Sequence, residues 1–135
     1  MVETIYTKYW NAARVRKLFE EYQRLARLVD DLDIRFWKRF ILRDYTRSHS
    51  IEDELAEDNL REEYKNCTSD LMKLHCKVTS VLETVTSPAS RALITDFYLR
   101  DMSMGEMKEK WQLKESELRS LIQRGLMEAQ LPDEE

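Results

Sequence analysis

SMGEMKEKWQLKESELRSLIQR, residues 103–124, carries two helix starts and a turn within twenty-two residues. It opens with Ser103 and Glu106, the S-x-x-E spacing in which each side chain satisfies a backbone N–H at the start of a helix. Met107 and Trp111 follow four residues apart, so they share one helical face. Leu113 then falls in a turn, and Leu118, Leu121 and Ile122 resume helical spacing on its far side. The pattern predicts two short helices, at about 104–111 and 115–130, joined by a tight turn with their apolar faces turned toward each other.

Working outward, Ser87 can cap a helix, and Pro88 suits a first turn in which its missing N–H costs nothing. That places a third short helix at about 88–100, supplying Leu93, Ile94, Phe97, Tyr98 and Leu99. Pro132 and the acidic tail, residues 132–135, end the last helix. Three helices with this apolar plan over residues 88–131 are the layout of a helix-turn-helix module.

The run SRALITDFYLRDMSMGEMKEKWQLKESELRSLIQRGLMEA resembles the C-terminal promoter-reading region of bacterial sigma factors. It is also similar to the sigma-like regulators of Gram-positive phages and mobile elements, such as the ArpU and RinA families. The residues that carry the likeness are Tyr98, Leu99, Ser103, Glu106, Met107, Trp111, Leu113, Leu118, Arg124 and Gly125, aligned without a gap. It covers roughly 40 of the 135 residues. Two positions depart from the family pattern: Lys108 stands where a small residue is usual, and Gln112 where the turn often has Gly.

The resemblance implies that the second helix lies in the major groove of double-stranded DNA, its N-terminal part facing base edges. Lys114, Ser116, Glu117, Arg119, Ser120, Gln123 and Arg124 then take the groove-facing or phosphate-facing positions. Arg119 would pair with guanine and Gln123 with adenine, while Lys114, Ser116 and Ser120 hold phosphates. Glu115 and Glu117 oppose this, because carboxylates repel a phosphate backbone. Both equally suit the positive end of a helix dipole.

Residues 1–87 read differently. Val15, Leu18, Tyr22, Leu25, Val29, Leu32 and Phe36 alternate spacings of three and four, an apolar seam along a helix from Thr4–Thr7 to about Tyr45. RDYTRSHS reads as a loop, with Ser50 and Asp53 starting the next helix. There Leu60, Tyr64, Cys67, Leu71, Leu74, Val78, Val81 and Val85 form a second seam. Two seamed helices with a short polar connection predict a long antiparallel, coiled-coil-like hairpin, and the expected fold class is all-α. Trp10, Phe19, Trp37, Phe40, Ile41 and Leu42 lie partly off the seam. They must pack on the C-terminal module, on another copy in a homodimer, or on a partner protein.

The scarcity of turn formers fits a few long helices: the chain has two Gly and two Pro. Net charge is −4 but uneven, with 11 basic and 7 acidic residues over 1–47, 4 and 9 over 48–87, and 7 and 10 over 88–135. The basic third is therefore not the one that holds the helix-turn-helix. The basic first helix is either a phosphate-binding surface or a solvated face neutralised by the acidic second helix. Cys67 and Cys76 lie too far apart along a helix to bridge and are expected as small buried or half-buried residues. His75 beside Cys76, with His49 in a loop, offers no converging set of zinc ligands.

No phosphate-cradling glycine loop, nucleophile turn or metal-binding helix motif occurs, so neither enzymatic activity nor a cofactor is expected. Free thiols and the lack of a long apolar run point to the cytoplasm of a bacterial host, with no membrane partner. The expected function is transcription regulation by a phage or mobile-element protein that binds promoter DNA, acting alongside RNA polymerase. Two alternatives are a helical adaptor or inhibitor of a host protein, such as RNA polymerase or a defence nuclease, and a DNA-packaging small subunit.

Overall fold

The computed structural model describes residues 5–46 and 51–132, with side chains described for 8–39, 41 and 54–132. Among them the chain is all-helical. Helix α1 spans Ile5–Thr46, α2 Ile51–Glu83, α3 Pro88–Ile94, α4 Met104–Trp111 and α5 Glu115–Glu128. The first two form a long pair that packs together, as their seams require. Helix α1 continues through Arg43–Thr46, where the sequence suggested a loop. Ser50, the expected cap of α2, lies outside the described residues, as do His49 and the acidic end of the tail.

The chain divides into two compact units. Unit 2, Arg24–Leu74, holds the later part of α1 and most of α2. Phe36 stacks on Tyr64 with ring centroids 6.5 Å apart, and the Arg61 guanidinium lies 5.8 Å over the Phe36 ring. Leu32 is buried, but Leu25, Val29, Phe36, Leu60, Tyr64, Leu71 and Leu74 are only half-buried. Two helices alone cover one stripe of each other and leave the sides of that stripe in water.

Unit 1 comprises Met1–Gln23 and His75–Glu135, so its grouping runs across the Ser87–Pro88 position at which a helix begins. Here the seam gains a third layer. Val15, Leu18, Phe19 and Tyr22 of α1 and Val78, Val81 and Leu82 of α2 are buried, along with Val85, Leu93, Ile94, Tyr98, Met107, Leu118, Ile122, Leu126 and Ala129. Of the three places open to Phe19, the C-terminal module, another copy or a partner, the first is taken: it is wholly buried and stacked on Tyr98 at 5.5 Å, and so is core rather than a partner or dimer surface. Its position just off the α1–α2 seam is what turns it toward the C-terminal helices.

The short helices start as their sequence requires. The Ser87 hydroxyl accepts from Ser90 N at 3.4 Å, with Pro88 in the first turn. At α4 the capping box is complete: Ser103 Oγ accepts from Glu106 N at 3.1 Å, and Ser103 N donates to Glu106 Oε1 at 3.2 Å. The helix expected over 88–100 is not uniform, because after Ile94 it widens into a π-helical turn, Thr95–Leu99. The turn closes with Arg100 N donating to Thr95 O, and Asp101 beyond it adopts φ 55°.

Candidate nucleic-acid interface

Helix α5 follows α4 through a tight turn whose pivot is Gln112, left-handed at φ 55° and ψ 41°. Glycine adopts that conformation without cost. Gln112 reaches it by donating from Nε2 to Glu109 O, in addition to its backbone bond to Lys108 O at 3.0 Å. Lys108 stays exposed.

Asp96 locks the α4 side of the module. It is 2% exposed, and Oδ2 accepts from Trp111 Nε1 at 2.9 Å and from Lys110 Nζ at 2.8 Å. Oδ1 takes a further bond from Arg100 Nη1 at 3.3 Å. A buried carboxylate with three donors is a satisfied anchor, fixing Trp111 and hence the end of α4 just before the turn. Asp96 does not stand out in the sequence as a site residue, and the one signal it offers is that of an acid set among Ile94, Phe97 and Tyr98. Trp111 itself is half-buried, while Met107 beside it is fully buried.

The other end of α5 is tied to the chain before α3. Glu128 Oε2 accepts from Thr86 Oγ1 at 2.9 Å and from Ser87 N at 3.3 Å, and Gln130 N donates to Thr84 Oγ1 at 2.8 Å. The Thr86 hydroxyl holds the Glu128 carboxyl below the usual carboxylate range. Gly125 lets α5 lie close on α3: a Cβ there would stand 2.6 Å from Ile94 Cδ1 and 2.9 Å from Ser90 Cβ.

With Leu118, Ile122, Gly125 and Leu126 buried, the opposite face of α5 is left outward. Ser116, Ser120 and Gln123, spaced four and three, share that face; Arg119 and Arg124 flank it, and Lys114 stands at the N-cap. All six are the residues expected from the sequence, and all are exposed except Gln123, which is half-buried. No side chain caps the first turn of α5, so its backbone N–H groups are not taken by a capping oxygen.

The face is nonetheless not basic, since Lys114, Arg119 and Arg124 are matched by Glu115, Glu117 and Glu128 along the same helix. Arg119 donates through Nε and Nη2 to Glu115 Oε1, at 3.1 and 2.8 Å. Those bonds hold the Glu115 carboxyl below its ordinary range. Arg124 Nε lies 3.9 Å from Glu128 Oε1.

Helix α1 borders this face. Arg16 Nη2 donates to Gln123 Oε1, and Asn11 Nδ2 donates to Ala129 O at 2.7 Å. Further along, Gln23 Nε2 reaches Phe97 O and Asp101 Oδ1, each at 2.9 Å. Thus α1 runs antiparallel to α5, from its C-terminal end toward the turn after α3.

Of the residues expected at a partner or dimer surface, Trp10, Trp37 and Ile41 are 66%, 55% and 60% exposed, and Ile34, Leu55 and Met72 are exposed as well. Phe40 and Leu42 lie outside the residues whose side chains are described. Cys67 is half-buried, whereas Cys76 is exposed rather than covered, because it points off the seam. His75 is hydrogen-bonded to the Tyr22 hydroxyl through Nδ1 at 3.1 Å. Among the described residues no three His, Cys, Asp or Glu side chains converge as metal ligands would, and no helix is long and apolar enough to cross a membrane.

No family model matches the chain, and neither curated proteins nor solved structures give a match.

Proposed function

We propose that this protein is a transcription regulator of phage or mobile-element type, which binds promoter DNA through its helix-turn-helix. The observation that carries the reading is α5 itself: its buried residues fix it against α3 and α4, while Lys114, Ser116, Arg119, Ser120 and Arg124 remain exposed on the face turned away from them. Arg119 suits a guanine edge once it exchanges Glu115 for the base. The serines, Lys114 and the open first turn of α5 suit phosphates. A sigma-like module of this kind would act beside RNA polymerase at one promoter.

A gel-shift assay with double-stranded DNA from upstream of the protein's own gene tests the reading. Specific binding is expected. Arg119→Ala should weaken the specific complex about tenfold, within the discrimination of one bidentate base contact. Arg124→Ala should weaken specific and nonspecific complexes alike. Equal binding by wild type and Arg119→Ala would remove α5 as the reader.

A second reading is favoured by the neutral charge of the α5 face and by the apolar side chains that unit 2 exposes. In it the chain is a helical adaptor that docks on a host protein. Retention of a protein partner at high salt, with no salt-sensitive DNA binding, would support this alternative.

A further inference from the structure

We infer that Arg16 of α1 is a specificity-determining, positioning residue, which turns the Gln123 NH2 outward as a donor that favours guanine or thymine over adenine. The inference rests on the proposed DNA-reading role of α5. Its basis is the contact in which Arg16 Nη2 meets the Gln123 side chain. A guanidinium has donors only, so the amide atom facing it must be the carbonyl oxygen and not the NH2. The orientation of Gln123 is thereby decided by chemistry.

Tyr98 of the π turn is buried and stacked on Phe19 of α1; burial raises the pKa of its hydroxyl, and the positive charge of Arg16 opposes that rise.

A glutamine reads adenine with both ends of its amide, accepting from N6–H2 with the oxygen while donating to N7. The bond takes one lone pair of the oxygen and draws it toward α1, so the NH2 end is left to face outward. Its two donors match the O6 and N7 acceptors of guanine or the O4 of thymine, whereas adenine offers them N7 alone beside its own N6–H2 donor. The adenine contact that the sequence alone suggests for Gln123 is therefore replaced. The same guanidinium adds a positive charge at the border of the α5 face, where Glu115 and Glu117 remove it.

Selection of the full-length protein on a randomised double-stranded DNA pool tests this, followed by competition binding of single-base variants of the selected site. The base read by Gln123 is the position whose preference relaxes in Gln123→Ala. It should be guanine or thymine for the wild type, favoured over adenine by about tenfold. Arg16→Met keeps the aliphatic stem but lacks a donor. It should lose that preference at the one position and gain adenine there, while Arg16→Lys, which keeps a donor, should restore it in part. Thermal unfolding establishes that each variant is folded.

Adenine at that position in the wild type would overturn the inference, as would a Gln123→Ala variant with unchanged preferences. Uniform weakening of all sites by Arg16→Met, with preferences intact, would make Arg16 a phosphate contact only and overturn it too. Failure of the wild type to enrich any DNA is a different result, since it would remove the DNA-binding reading as well.

Discussion

At the scale of single residues, the module depends on a few positions whose chemistry is unusual for their place. Gln112 holds a left-handed backbone that costs an ordinary L-residue about 1 kcal/mol. Gln112→Gly should therefore raise unfolding free energy by roughly 0.5–1 kcal/mol, measured by urea denaturation, despite the greater freedom glycine gives the unfolded chain. No gain at all would mean that the Nε2 bond to Glu109 O already offsets the strain. Glu115 belongs to this scale as well, because it occupies Arg119. Glu115→Gln should tighten DNA binding by about two- to fivefold at moderate salt, the range expected from releasing an exposed ion pair. Unchanged affinity would place Arg119 away from the nucleic acid.

Glu128 gives a pH dependence whose sign follows from its bonds. Its folded-state pKa lies below the unfolded value, chiefly because the Thr86 hydroxyl bonds the carboxylate. Its stabilisation is thus present above the ordinary carboxylate range and is lost as pH falls through the lowered folded value. Glu128→Gln should reduce stability at neutral pH and flatten the acid limb of a stability profile. A variant with an unaltered acid limb would show that the Thr86 and Ser87 contacts do not distinguish the charged form.

At the scale of elements, close packing and burial decide what the helices tolerate. Gly125→Ala would drive a methyl group into Ile94 and Ser90, and overpacking of this kind costs about 1–3 kcal/mol. A thermal or urea melt reads the loss directly. The half-buried seam of unit 2 should open more readily than the buried one of unit 1. Hydrogen exchange is therefore expected to be slower over Val78–Leu82 than over Tyr64–Cys67, although both lie in α2. The reverse order would require something to cover the seam of unit 2.

The helices themselves were legible from the sequence, because apolar spacing, Ser87–Pro88 and the Ser103–Glu106 box are local signals. For Phe19 the sequence left three partners open, since the layer that buries it comes from residues more than seventy positions away. The π turn and Asp96 were hidden for a related reason. Asp96 reads as an ordinary surface acid until Lys110 and Trp111 are seen to converge on it. The candidate site shows the same division: its outward residues follow from helical periodicity, whereas the Arg16 contact to Gln123 joins positions that no spacing rule relates.

At the scale of the whole molecule, the net charge of −4 and the balanced α5 face set the electrostatic terms for DNA. If the proposed DNA binding holds, it has to come from a small number of placed cations rather than from a broad basic surface, so affinity should fall with salt along a shallow but definite line. The most direct measurement is fluorescence anisotropy of a labelled duplex from the upstream region, titrated with the full-length protein between about 50 and 200 mM salt. Binding is expected at the low end, with a slope of log K against log salt of about −0.9 for each phosphate held, made shallower by loss of Lys114 or Arg124. A flat line, or no binding at the lowest salt, would contradict the DNA-binding reading.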